Sequence, residues 1–136
     1  MQVRYLAGLG LCLLGAACVG DARERPVRVM TAPPGAQYLG VETRLLDERT
    51  VSVLVRMRGA RDRNDVVAYA RCAAAQYTLI RGHGFAQHVR TTVKQRGGVW
   101  EGDGGFVISP DLPRGLRTLD AEVIVDDCRE LGIPSL

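Results

Sequence analysis

Apolar positions are distributed along this chain in three ways, and each predicts a different element. Leu6–Ala17 is one unbroken run of Leu, Gly, Ala and Cys, preceded by the single cation Arg4 and followed at once by charge at Asp21, Arg23, Glu24 and Arg25. Further on the pattern has period two. Leu39, Val41, Thr43 and Leu45 share one side, Asp47-Glu48-Arg49 breaks the run, and Val51, Val53, Val55 and Met57 then alternate with Ser52, Leu54, Arg56 and Arg58. Alternation with β-branched residues predicts two strands joined as a hairpin. Between Asp62 and Arg81 the period becomes helical. Val66, Ala70, Ala73, Tyr77 and Ile80 fall on one stripe, Asp62 or Asn64 can cap the first amides, and Gly82 supplies a left-handed stop.

Period two then returns. Phe85, Gln87, Val89, Thr91 and Val93 alternate, and Gln95-Arg96-Gly97-Gly98 reads as a turn. Val99–Ser109 reads as a strand interrupted by Gly102-Asp103-Gly104-Gly105, which is expected to form a hairpin tip or bulge. After the loop Ser109–Pro113, Leu119, Ala121, Val123 and Val125 predict a last strand, with Cys128 just beyond it. The expected fold class is α+β: a mostly antiparallel sheet of about five strands with one helix packed on a face, in the order ββαβββ.

The first run has a different meaning. About a dozen apolar residues are too few to span a bilayer, which takes about twenty. A short basic start, an apolar core and small residues make a secretion signal. Leu14-Gly15-Ala16-Ala17-Cys18 resembles a lipobox, in which small side chains admit the strand to the processing peptidase and the cysteine is acylated. The expected division is a signal peptide over 1–17, lipid attachment at Cys18 with an extended linker over 18–36, and one domain over 37–136. Leu usually stands three places before the cysteine, where this chain has Gly15, so cleavage after Ala22 is the alternative. Pro26 and Pro33-Pro34-Gly35 favour extended linker geometry, with an edge strand at Val27–Met30 as the other reading.

Export changes the reading of the four cysteines. Either cleavage removes Cys12, and Cys18 is lost or committed to lipid. Cys72 and Cys128 remain as a pair in an oxidising compartment, where a disulfide is expected. Closing a ring of more than fifty residues is worth roughly 4 kcal/mol in chain entropy. Cys72 lies off the centre of the helical stripe, a flank position suited to a bridge with a passing segment.

Charge narrows the partners. The chain has 18 basic and 15 acidic residues, well interspersed, with no basic stripe carrying aromatics, so nucleic acid is not expected as a partner. All the cations but Lys94 are Arg, whose fork suits carboxylates or anionic lipid head groups. His83 and His88 lack the further ligands a metal site needs, and His88 should point outward, opposite Val89. Gly102–Gly105 lacks the Lys-Ser/Thr and helix of a phosphate loop and the spaced oxygens of a calcium loop. Asp126 and Asp127, adjacent on a strand end, would face opposite ways. No seryl nucleophile motif occurs. No catalytic residue, metal or cofactor is therefore expected. Trp100, the sole Trp, is either core or a partner contact.

Arg58-Gly59-Ala60-Arg61-Asp62, Val66–Ala75, Gly82-His83-Gly84-Phe85 and Pro113–Arg117, followed by a terminal strand and Cys128, resemble a family of small alphaproteobacterial envelope lipoproteins. The resemblance implies an exported location and lipid on Cys18; the family has no assigned activity, so it lends no functional residues. The expected function is that of an exported, lipid-anchored protein of the cell envelope with a non-catalytic structural or interaction role. It would face the periplasm, with Val19 after the lipidated cysteine leaning toward the outer membrane. Its partners would be the bacterial membrane, through the anchor, and an envelope protein. The alternatives are a binding module for a small amphiphile or anionic lipid, and a soluble periplasmic domain.

Overall fold

The computed structural model describes residues 31–136, so the signal peptide, Cys18 and the Val27–Met30 strand lie outside the described residues. The element order is β1 (Gln37–Leu45), β2 (Thr50–Arg58), α1 (Arg63–Ile80), β3 (Phe85–Arg96), β4 (Val99–Ser109), β5 (Thr118–Asp120) and α2 (Ala121–Leu131). The five strands form one sheet in the order β1-β2-β4-β3-β5, with every neighbouring pair antiparallel. Both helices lie on one side, α1 across β2, β4 and β3, and α2 against α1.

Local chemistry accounts for most boundaries. At the β1–β2 turn Asp47 Oδ1 accepts from the Arg49 and Thr50 amides at 2.9 and 2.7 Å. Gly97 and Gly98, both at positive φ, make the two-residue β3–β4 turn. Asp62 caps α1 by accepting from the Asn64 amide, and Gly82 at φ 78° ends it. Thr78, fully buried, satisfies its hydroxyl by donating to the Ala74 carbonyl.

The core is the meeting of α1 with the inward side of the sheet. Val51, Val53, Val55 and Met57 of β2 and Phe106 and Ile108 of β4 are buried against Val66, Tyr69, Ala70 and Ala73. The alanines allow the layers to close. At Gly102 a Cβ would lie 2.6 Å from Val66 Cγ1 and 3.1 Å from Val55 Cγ2.

Four expectations are corrected. The order is ββαβββα, not ββαβββ: only Thr118–Asp120 of the last predicted strand is extended, and residues 121–131 are helical. Ala121, Ile124, Cys128 and Leu131 make an inward stripe that coexists with the period-two pattern, and Val123 is exposed. Asp120 caps α2 through the Val123 amide, and Gly132 at φ 73° ends it. Asp126 and Asp127 therefore stand on an exposed helical turn, with Arg129 paired to Asp126 at 3.2 Å.

Gly102–Gly105 is no hairpin tip. It is the middle of β4, paired to β2 on one side and β3 on the other, and glycine is required there by the approach of α1.

The single alternation through β3 is also split. A bulge between His88 and Arg90 shifts the inward positions from Ala86 and His88 to Thr91 and Val93, and leaves Val89 exposed. His88 therefore faces inward. A similar irregularity between Tyr38 and Gly40 leaves Leu39 49% exposed while Val41 keeps its inward place.

The α1 stripe is rotated from the expected one. Tyr69, Cys72 and Thr78 join Val66, Ala70 and Ala73 inside, and Ile80 is 61% exposed.

Cys72 and Cys128 form the expected disulfide, with Cα atoms 5.9 Å apart. It joins the two helices, where the sequence suggested a join between the helix and a strand end. Cys72 reaches it from the flank facing α2, and both residues are buried.

Candidate interaction surface on the open sheet face

Two polar clusters lie on the helix-covered side of the sheet, one around Asp65 and one around His88. Asp65, at the first turn of α1, has a side chain only 6% exposed. Its carboxylate accepts from the Arg61 amide at 2.7 Å and from the Arg61 guanidinium at 3.1 and 2.8 Å. The guanidinium hydrogen bond holds this carboxyl below its ordinary range, against the opposing effect of burial. Tyr38 and Tyr69 pack edge-to-face beside it, 4.7 Å between centroids, and burial raises both phenols. An acid already committed to three donors, next to two phenols held neutral, is a structural cluster.

His88 lies against Phe106 at 5.1 Å, and its Nε2 is 2.8 Å from the Thr91 hydroxyl. Burial first, then the positive charges of Arg117 and Arg71, lower its pKa below the ordinary value. Among the described residues no carboxylate hydrogen-bonds this imidazole, so the His–Thr pair lacks the orienting acid of a nucleophilic triad. Among the described residues no group of three or more His, Cys, Asp or Glu could hold a metal ion. Among the described residues the buried Nδ1 of His83 has no hydrogen-bond partner, while its backbone N–H donates to the Thr78 carbonyl at the helix end.

Among the described residues the other side of the sheet carries no helix. Register places its side chains in rows across three or four strands. Glu42, Leu54, Asp103 and Thr92 form one row, and Arg56, Glu101 and Lys94 the next toward the β3–β4 turn. Arg96 pairs with Val99 beside that turn, and Arg58 reaches across to donate to the Gly97 carbonyl. The rows are stitched by Arg56 Nε to Glu101 at 3.3 Å, Ser52 to Asp103 at 3.0 Å and Arg44 to Glu42 at 2.7 Å. Two shallow open depressions of about 210 Å³ each lie here. One is lined by Lys94, Arg96, Val99 and Glu101, the other by residues around Gly40 and Arg56.

Of the residues singled out from sequence, Cys72 and Cys128 are brought together and Cys18 lies outside the described residues. Trp100 is half-buried at the rim of the core, paired in register with Met57 and Gln95. The open-face cations were not singled out from sequence. The signal that would have found them is the outward half of each alternation, Arg56 and Arg58 on β2 and Lys94 and Arg96 on β3.

Residues 38–132 match the model of the YNQ4 C-terminal domain. An uncharacterised 26.9 kDa protein in the nqo8 5′ region of Paracoccus denitrificans is 31% identical over 125 residues, covering 85% of this chain and 49% of that protein. The chain thus spans about half the length of this curated relative. No solved structure matches the chain.

Proposed function

The chain belongs to the YNQ4 C-terminal domain family, and on that premise we propose that it is an exported protein of the bacterial cell envelope. It is lipid-anchored at Cys18, faces the periplasm with a leaning to the outer membrane, and works non-catalytically as an interaction module. The observation that carries the reading is the buried Cys72–Cys128 disulfide between the two helices. A structural disulfide of this kind forms and persists in oxidising compartments and is rare in the cytosol. The leader-like run over 6–17 supports the same destination. The commitment of the Asp65 carboxylate to three donors supports a non-catalytic role. Trp100 at the rim of the core offers an envelope partner an aromatic contact.

The second reading is a binding module for a small amphiphile or anionic lipid. The close approach of α1 at Gly102 moves it away from the interior. The depressions and cations of the open sheet face favour a ligand held on the outside.

Intact-mass analysis of membrane-extracted protein tests the anchor. The expected product starts at Cys18 and carries acyl chains, and an unmodified chain starting near Arg23 overturns lipidation. Thiol labelling of denatured, unreduced protein is expected to leave Cys72 and Cys128 unlabelled. Labelling of both in freshly extracted protein overturns export.

A further inference from the structure

We propose that the β3–β4 end of the open sheet face docks on a membrane surface rich in anionic phospholipid headgroups. The proposal deepens the second reading above and, for its tether alone, rests on the lipid anchor of the first.

Charge is the first argument. Glu101 is flanked across the sheet by Arg56 and Lys94, with Arg96 and Arg58 one row further toward the turn. Four cations around one carboxylate leave a local surplus of three positive charges. All four cationic side chains belong to exposed residues, and Val99 gives the depression between Lys94 and Arg96 an apolar wall. On the opposite layer, α2 carries Glu122, Asp126, Asp127 and Glu130 against Arg129 alone. A negative surface attracts the first region and repels the second, so the domain is turned with its sheet end toward the bilayer.

Chain entry is the second argument. Gln37, the first residue of β1, is paired with Arg58, so the N-terminal segment enters the fold at the cationic end. Residues 31 and 32 reach this end of the domain on the helix layer, the Thr31 carbonyl accepting from the Arg61 guanidinium at 2.8 Å and the Ala32 amide donating to the Leu131 carbonyl at 3.0 Å. An anchor upstream of residue 31 leads to this end. Each Lys or Arg near an anionic surface is worth about fivefold in partitioning, and a tether raises the local concentration at which that preference acts.

Lys94 is the only lysine in the chain and lies inside the patch, so it is a unique side-chain reporter. The full chain is mixed with vesicles of phosphatidylglycerol in phosphatidylcholine, or of phosphatidylcholine alone. An amine-reactive ester is added, and modification of the Lys94 peptide is followed by mass spectrometry. Labelling of Lys94 should slow at least about fivefold on the anionic vesicles only, and recover in high salt. The Arg56→Ser/Arg96→Ser variant should lose this protection. The Arg81→Ser/Arg114→Ser variant, with the same change in net charge, should keep it.

Equal labelling on both vesicle types overturns the proposal, as does equal loss in the two variants. Protection without vesicles that grows with protein concentration also overturns it and assigns the patch to the acidic helix of a second copy. If intact mass shows no acyl chain while protection on anionic vesicles persists, the docking stands and the anchor falls.

Discussion

The two faces of the sheet are made from the same strands and behave as opposites. On the covered face β4 presents Gly102, Gly104, Phe106 and Ile108, all buried, to an alanine-rich helix. On the open face the same strand presents Glu101, Asp103, Gly105 and Val107, with Glu101 held by Arg56 and Asp103 by Ser52. One face is specified by volume, because a single methyl group at Gly102 has no room. The other is specified by charge, and its ion pairs in solvent add little to stability. Packing and surface charge are thus separated onto opposite sides of one layer, so substitutions on the open face can change its charge while the core holds the fold.

Removing the disulfide should cost the most stability, and it tests whether the covered side depends on its staple. Replacing Cys72 and Cys128 together with Ser or Ala reopens a loop spanning a sequence separation of 56, and should cost about 4 kcal/mol. Urea unfolding of oxidised wild type against the variant reads it directly. A change below about 1 kcal/mol would mean that the helix pair holds without the bond.

A matched pair of glycine substitutions sets the faces against each other. Gly102→Val should destabilise by about 1–3 kcal/mol through overpacking on Val66 and Val55. Gly105→Val, three residues on and on the open side, meets only ordinary contacts at 3.9 Å with Arg90 and Val89. It should be neutral or stabilise by about 0.5 kcal/mol, since glycine is a poor strand residue. Thermal unfolding of both variants would break the comparison if the two shifts had the same sign and size.

Asp65 tests the polar cluster under the covered face. Its folded-state pKa is depressed, so its contribution is complete above the unfolded carboxylate value and is lost as pH falls through the folded one. Asp65→Asn should therefore cost about 1.5 kcal/mol at neutral pH. The gap in urea midpoint between variant and wild type should close as pH is lowered from about 6 to 3.

The smallest effect is expected on the open face. Arg56→Ala removes an exposed pair with Glu101 and should change stability by less than about 0.5 kcal/mol. A double-mutant cycle with Glu101→Ala measures it.

Much of this arrangement is readable along the chain. The hairpin around Asp47, the helix between Asp62 and Gly82, the turn at Gly97-Gly98 and the Cys72–Cys128 pairing all rest on local chemistry or on a count of thiols. The candidate surface was readable only as an outward alternation, because no single residue on it has distinctive chemistry. The misreadings occur where two local patterns coexist. Leu119, Ala121, Val123 and Val125 satisfy period two, while Ala121, Ile124, Cys128 and Leu131 satisfy a helix. The Asp120 cap and packing on α1 decide in favour of the helix. In β3 the inserted residue at the bulge reverses which side faces in, and that reversal shows only when the pairing with β4 is known.

Periodicity, capping and glycine φ act over a few neighbouring residues, so the strands β1–β3, the long helix, their turns and the pair of cysteines left to bridge were legible along the chain, while β4 was legible only as extended runs on either side of Gly102–Gly105. Tertiary structure alone decided that Gly102 lies under a helix, that His88 turns inward, that the last element coils and that four separated cations share one corner. Those outcomes depend on strand register and on which layer a segment packs against, and both are set by contacts between residues far apart in the chain.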